Sequence, residues 1–103
     1  MRETVKQGDI IAFADHPIKG LVLSKDIFNR TGMSILCPVA NSAPEDPLHI
    51  SVGIGKETYI ALCEHLKSFD LKKRHYKTLG SIDYAQIQEV TDAVQGIFDY
   101  YPF

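Results

Sequence analysis

The residues best suited to chemistry lie in one stretch, 59 to 77, which reads YIALCEHLKSFDLKKRHYK. Glu64 and His65 come directly after the apolar run Tyr59 to Leu62, and Lys67, Lys72, Lys73, Arg74, His75 and Lys77 follow. A carboxylate and an imidazole can move protons near neutral pH, and neighbouring cations can hold a phosphate as its charge builds. Glu64 beside Lys67 or Arg74 stays ionised and suits a base or electrostatic role, and His65 suits an acid. The competing reading is a solvated strand end and a charged turn, whose ion pairs contribute little. His16 is a further candidate for approaching a phosphate, against its alternative as an exposed turn histidine. His49 and His75 read as structural and solvating residues. Phe28 and Tyr59 offer rings for stacking, with a core role as the competing expectation.

The rest of the chain must position that stretch. At 103 residues it is expected to form one domain, spanning 1–103. A hydrophobic fraction of 45% and a charged fraction of 23% are ordinary globular values. The net charge of -2 supplies no overall basic field, so polyanion binding must come from a local patch. No apolar run is long enough to span a membrane, and the N-terminal MRETVKQGD lacks the apolar core of a signal peptide. Both point to the cytoplasm. Cys37 and Cys63 sit in apolar runs, which fits buried reduced thiols in a reducing compartment; a disulfide between adjacent strands is the alternative. Two cysteines without close CxxC spacing are a poor zinc signal, so no metal or cofactor is expected.

Strands are expected over Ile10 to Phe13, Leu21 to Leu23, Met33 to Val39, His49 to Val52 and Tyr59 to Leu66. Ser24 is positioned to cap one helical turn over Lys25 to Asn29. Asn41 to Pro47 is a loop, Gly53 to Glu57 a hairpin turn, and Asp70 to Arg74 a short helical turn. One long helix lies near the C-terminus, started by Ser81 or by Asp83 with Gln86 as a capping box. Its apolar stripe is Ile87, Val90, Val94 and Ile97, widened by Ala93 and Phe98. The tail Tyr100 to Phe103 either folds onto the core or meets a partner chain. Short strands with one terminal helix suggest a mainly β fold, a small and partly open barrel.

Several of these pieces resemble one family, the PemK/MazF-like toxins of bacterial toxin–antitoxin systems. Gly8-Asp9-Ile10-Ile11 looks like the family's opening strand, and Asp15 to Gly20 is similar to the segment leading into its first long loop. Leu21-Val22-Leu23-Ser24 resembles the end of its R-P-A-L-V-L-S motif. Phe28-Asn29 and Thr31-Gly32-Met33 are similar to the helical turn and next strand. Cys37-Pro38-Val39 resembles its C-P-I-T segment, and Pro47 to Ile50 a strand of one subgroup. Leu62 to Asp70 is close to that subgroup's L-C-E-Q/H-x-K/R-S/T-x-D. The order and spacing hold over about residues 8 to 98. The resemblance implies an SH3-like barrel of the CcdB/PemK type with a C-terminal helix, and a homodimer with grooves for single-stranded RNA. It also implies metal-independent RNA cleavage, and an antitoxin whose extended tail blocks the groove. Under it, Glu64 and His65 are the catalytic candidates. Lys67, Lys72, Lys73, Arg74, Ser42 and His16 are the RNA-binding ones.

Two departures fall on the chemistry. Cleavage without metal needs a base for the 2′-hydroxyl, an acid for the leaving 5′-oxygen and fixed donors for the phosphorane. The family draws on the arginine of R-P-A-L-V-L-S and the threonine of C-P-I-T. Gly20 runs straight into Leu21 without the usual basic loop or an arginine, and the threonine position is Ala40. Ser42 has the parity to share Ala40's face if the strand stays regular. Either the loop is truly shortened, or a mobile loop is missing from the written sequence; an unbroken backbone through Gly20–Leu21 favours the first. Ala40 reads as native to a silent relative or as a silencing substitution. The expected activity is therefore a weakened or absent nuclease. The alternatives are a non-catalytic RNA- or antitoxin-binding homologue and a CcdB-like gyrase poison.

Overall fold

Ile10 and Ile11 are neighbours on one strand, and neither is exposed to solvent. Successive strand side chains point to opposite faces, so the sheet that holds them buries both. A computed structural model describes residues 4–98 and shows how. The chain runs through β1 (Asp9–Phe13), β2 (Lys19–Val22), α1 (Asp26–Asn29) and β3 (Met33–Ala40). It continues through β4 (His49–Ile54), β5 (Glu57–Leu62), β6 (Lys67–Asp70), a 3-10 turn (Leu71–Lys73), β7 (Tyr76–Ser81) and α2 (Tyr84–Phe98). The strands form one seven-stranded antiparallel sheet in the order β4-β5-β3-β2-β1-β7, with β6 also on β3.

β1, β2 and β3 divide their apolar residues between two cores. Ile10, Leu21, Cys37 and Val39 face one cluster, closed by Val90 of α2. Ile11, Val22 and Leu36 face the other, with Val5 and Leu71. The sheet curls until its two ends meet through side chains: a Cβ on Gly80 of β7 would stand 3.1 Å from Ile54 Cδ1 of β4. The result is the mainly β, partly open barrel with a C-terminal helix that the strand pattern implied.

Several local expectations are corrected. The strand expected over Tyr59 to Leu66 ends at Leu62. His65 N donates to Leu62 O at 3.1 Å and Cys63 N to Leu48 O at 3.0 Å, so residues 63–66 form a turn. The chain then reverses into β6, because β3 accepts two partners in series. Met33 to Leu36 pair with β6, and Val39 and Ala40 with β5. β7 was not expected. Among the described strands it pairs with β1, and a register shift at Ile10/Ile11 leaves Leu79 unopposed, which spoils strict alternation. Ser24 does not cap α1. Its hydroxyl donates to Asn29 Oδ1 and accepts from Ile35 N, and the N-cap is Lys25 without a side-chain bond. Asp83 does cap α2, accepting from Gln86 N at 2.9 Å. Gln86 does not reach back; its Oε1 accepts from Gly53 N and ties the helix to β4. Ser81 belongs to β7 and donates to Asp9.

The stripe of α2 is buried at Val90, half-buried at Ile87, Ala93 and Val94, and exposed at Ile97 and Phe98. Asp99 and the aromatic tail Tyr100 to Phe103 lie outside the described residues. Gly20 and Leu21 lie in mid-strand, paired with Ile11 and Ile10 on one side and with Pro38 and Cys37 on the other. The β1–β2 connection is residues 14–18. Among the described residues no helix is long and apolar enough to cross a membrane.

Candidate functional site

Where β3 changes partner, β5 and β6 separate and the chain between them stands away from the sheet. This opens a groove of about 690 Å3. Gly20, Leu36 and Pro38 contribute its floor from β2 and β3. Gly20 has to be small, since a Cβ there would come within 2.7 Å of Leu36 Cδ2. The polar rim comes from separate segments: His16 and Lys19 at the β1–β2 connection, Glu64 and His65 in the 63–66 turn, Lys67 on β6 and Arg74 before β7.

Glu64 carries the densest set of contacts. His49 Nε2 lies 2.9 Å and His65 Nε2 3.5 Å from its Oε2. The His49 hydrogen bond, helped by Glu64's own backbone N–H, holds the Glu64 carboxyl below the usual carboxylate range. His49 was expected to be structural; its contact with Glu64 is one that sequence reasoning did not anticipate. Its Nδ1 lies 2.6 Å from the Pro44 carbonyl. That carbonyl first, and Glu64 second, push the His49 imidazole above its ordinary value. His49 opens β4 opposite Leu62, only two positions before Glu64, a juxtaposition that only the strand pairing reveals.

Arg74 is held differently from the other cations. Its guanidinium carbon lies 4.8 Å from the centre of the Phe13 ring and 5.2 Å from that of Phe69, and the two rings stack 5.0 Å apart. Nη2 is 3.6 Å from Asp15 Oδ1, while Nε is buried with no hydrogen-bond partner. The flat cation is thus fixed against the aromatic wall, as an arginine can be and a lysine cannot. His16 Nδ1 accepts from Ile18 N at 3.2 Å. Beneath the turn, Cys37 and Cys63 are buried free thiols. Their mutual hydrogen bond lowers the Cys63 pKa and, with burial, raises that of Cys37.

The groove therefore brings together Glu64, His65, Lys67, Arg74 and His16. It leaves out the others. Ser42 is exposed in the 41–48 loop, because β3 ends at Ala40 and the regular alternation stops there. Lys72 and Lys73 lie on the 3-10 turn, and the Lys72 stem covers Gly32 beside a smaller cavity of about 160 Å3. His75 is exposed, Tyr59 is in the core, and Phe28 is 40% exposed on α1. Among the described residues no group of three His, Cys, Asp or Glu side chains could hold a metal ion.

The two departures can now be located. Ala40 pairs with Ile60 at the end of β3. One step beyond the Lys19–Val39 pair, Ile18 comes opposite Ala40, and Ile18 lines the groove. Both side chains are hydrocarbon, and of the two only Ile18 is among the groove's lining residues. Arg74 is the one guanidinium among its described lining residues.

A fixed carboxylate between two imidazoles, facing a braced guanidinium and a lysine, can accept a proton, return one and hold a phosphate. The family model for PemK-like, MazF-like toxins of type II toxin–antitoxin systems matches residues 6–98. A search of curated protein sequences finds no match. The MazE–MazF crystal structure from Deinococcus radiodurans is similar at a TM-score of 0.84 and 21% identity, covering 94% of this chain and 98% of that one. An endoribonuclease from a mycobacterial species superposes at a TM-score of 0.82 and 14% identity, covering 99% of both. A mycobacterial endoribonuclease in complex with its cognate antitoxin gives 0.80 and 14%, covering 95% of this chain and 99% of that chain. These likenesses establish the fold, and the sequence match over nearly the whole described chain establishes the family. The chain is a member of the PemK-like, MazF-like toxins of type II toxin–antitoxin systems.

Proposed function

We propose that this protein is the toxin of a toxin–antitoxin pair, binds single-stranded RNA in the groove, and cleaves it slowly without metal. The convergence of Glu64, His65, Lys67, Arg74 and His16 on one cleft carries this reading. Related structures named as endoribonucleases, one of them bound to its antitoxin, support it. Glu64, kept ionised, takes the proton from a 2′-hydroxyl. His65, in its protonated form, gives one to the leaving 5′-oxygen. Arg74 and Lys67 hold the oxygens of the phosphorane. Cleavage is slow because Ala40 has no hydroxyl to donate and Ile18 offers only hydrocarbon where a further cation would meet the phosphate. The working unit is a homodimer in the cytoplasm, and an antitoxin tail competes with RNA for the groove.

The test is incubation with single-stranded RNA, with and without EDTA. Weak cleavage that EDTA does not change is expected. In the double variant Ile18→Arg, Ala40→Thr the rate is expected to rise about a hundredfold, the scale of one preorganised donor at a developing oxyanion. If both proteins bind RNA and neither cuts it, the nuclease reading fails. The protein is then a sequestering homologue, a reading favoured by the same two hydrocarbon positions.

A further inference from the structure

His49 is placed where a neutral imidazole would leave an acceptor unsatisfied. Nδ1 faces the Pro44 carbonyl at 2.6 Å and Nε2 faces Glu64 Oε2 at 2.9 Å. Neutral histidine carries one N–H and can donate to one of them; the imidazolium donates to both. The side chain is 12% exposed, while its partners Pro44 and Glu64 are exposed.

The two acceptors belong to separate segments, Pro44 to the 41–48 loop and Glu64 to the 63–66 turn. The end of that loop is held independently: His49 N donates to Asp46 O, Leu48 N to Asp46 Oδ1, and Cys63 N to Leu48 O. For residues 41–45, the His49–Pro44 bond is the one hydrogen bond among the described residues.

We infer that His49 is a positioning residue of the groove: its imidazolium ties the 41–45 segment to Glu64 and fixes the aim of that carboxylate, and its deprotonation leaves one N–H for two acceptors, which breaks the tie. The groups facing it are the Asp46 carboxylate from the loop, Glu64 and the Cys63 thiol from the turn, and His65 across Glu64. Two carboxylates favour the charged ring, in line with its raised pKa. The latch is therefore closed below that raised value and opens as pH climbs through it. His49 does not touch substrate in this scheme; it acts through Glu64. The effect on cleavage rests on the nuclease reading, whereas the latch itself does not.

Imidazole nitrogen NMR on the full chain reads the latch without RNA. Both His49 nitrogens are expected to be protonated in weakly acidic solution. The midpoint should lie above that of a free histidine side chain and move down in Glu64→Gln, which keeps an acceptor but removes the charge. Backbone order parameters over 41–45 should fall at the same midpoint. A single neutral tautomer in weakly acidic solution, or a midpoint indifferent to Glu64→Gln, overturns the inference. In RNA cleavage, His49→Gln is expected to lower kcat about tenfold with KM little changed, the scale for removing a group that orients a reactive one. It should also make the falling limb of the rate at high pH less steep, since one of two proton losses is gone; a limb unchanged in this variant counts against the latch. If RNA is never cut, the NMR results still decide the latch, and only the nuclease reading falls.

Discussion

At the scale of single residues, the site is a set of charges whose partners decide what they can do. Glu64 is held below the usual carboxylate range by His49, so its contribution to stability is present above the ordinary carboxylate value and lost as pH falls through the lowered one. His49 is held above the ordinary imidazole value, so its contribution is present below that value and lost as pH rises through the raised one. The difference in Tm between wild type and His49→Gln should be widest between about pH 4.5 and about pH 6.5, the ordinary values of the two groups, and narrow on either side. A difference that does not change with pH would remove the charge from the account. Arg74 tests the aromatic wall. Arg74→Lys keeps the charge and loses the stacking on Phe13 and Phe69, which should weaken RNA binding by about 1 kcal/mol, about fivefold in Kd. A filter-binding titration reads this, and an unchanged Kd would mean that point charge alone matters there. Glu64, His65, Lys67 and Arg74 were legible in the sequence because acid, imidazole and cations within a short span are a chemical pattern. His49 was not, because its role comes from a carbonyl and a carboxylate that only the folded strands bring to it.

At the scale of elements, β3 organises the fold. It pairs along its length with β2 on one side and with β6 and then β5 on the other. The sequence shows β3 clearly as a long apolar run, and α2 through its stripe and its Asp83 cap. It hides the end of β5, since Ala61, Leu62 and Cys63 read as one continuous strand until the Leu48 and Leu62 carbonyls are seen to bend the chain. It hides β7 because Thr78, Gly80 and Ser81 do not alternate with apolar residues, and pairing with β1 alone recruits them. The joint between β1, β2, β7 and α2 is Gly8. Its N–H donates to Val22 O, its carbonyl accepts from Ile82 N, and its φ is +95°. A Cβ there would stand 2.6 Å from Ile87 Cδ1. Gly8→Ala therefore combines an unfavourable left-handed backbone with a clash against α2, and should cost about 1–3 kcal/mol. Chemical denaturation reads it; a loss under half a kcal/mol, about the level of an ordinary surface substitution, would mean that the joint yields.

At the scale of the whole molecule, a body of net charge -2 presents its useful cations in one cleft. Lys19, Lys67 and Arg74 line it, while Lys72 and Lys73 stand outside on the 3-10 turn. If those three meet phosphates, the slope of log K against log salt for single-stranded RNA should be about -2, at about -0.7 per phosphate. A markedly steeper slope would bring the outer lysines into the footprint. The segment between β5 and β6 has a wider consequence. It leaves the sheet and returns to it while both flanking strands stay bonded to β3. Cys63 is buried in the core and Leu66 packs against it, so only Glu64 and His65 stand free to change. A lineage can exchange those two residues, and with them the acid and the imidazole of the rim, while the barrel is inherited intact.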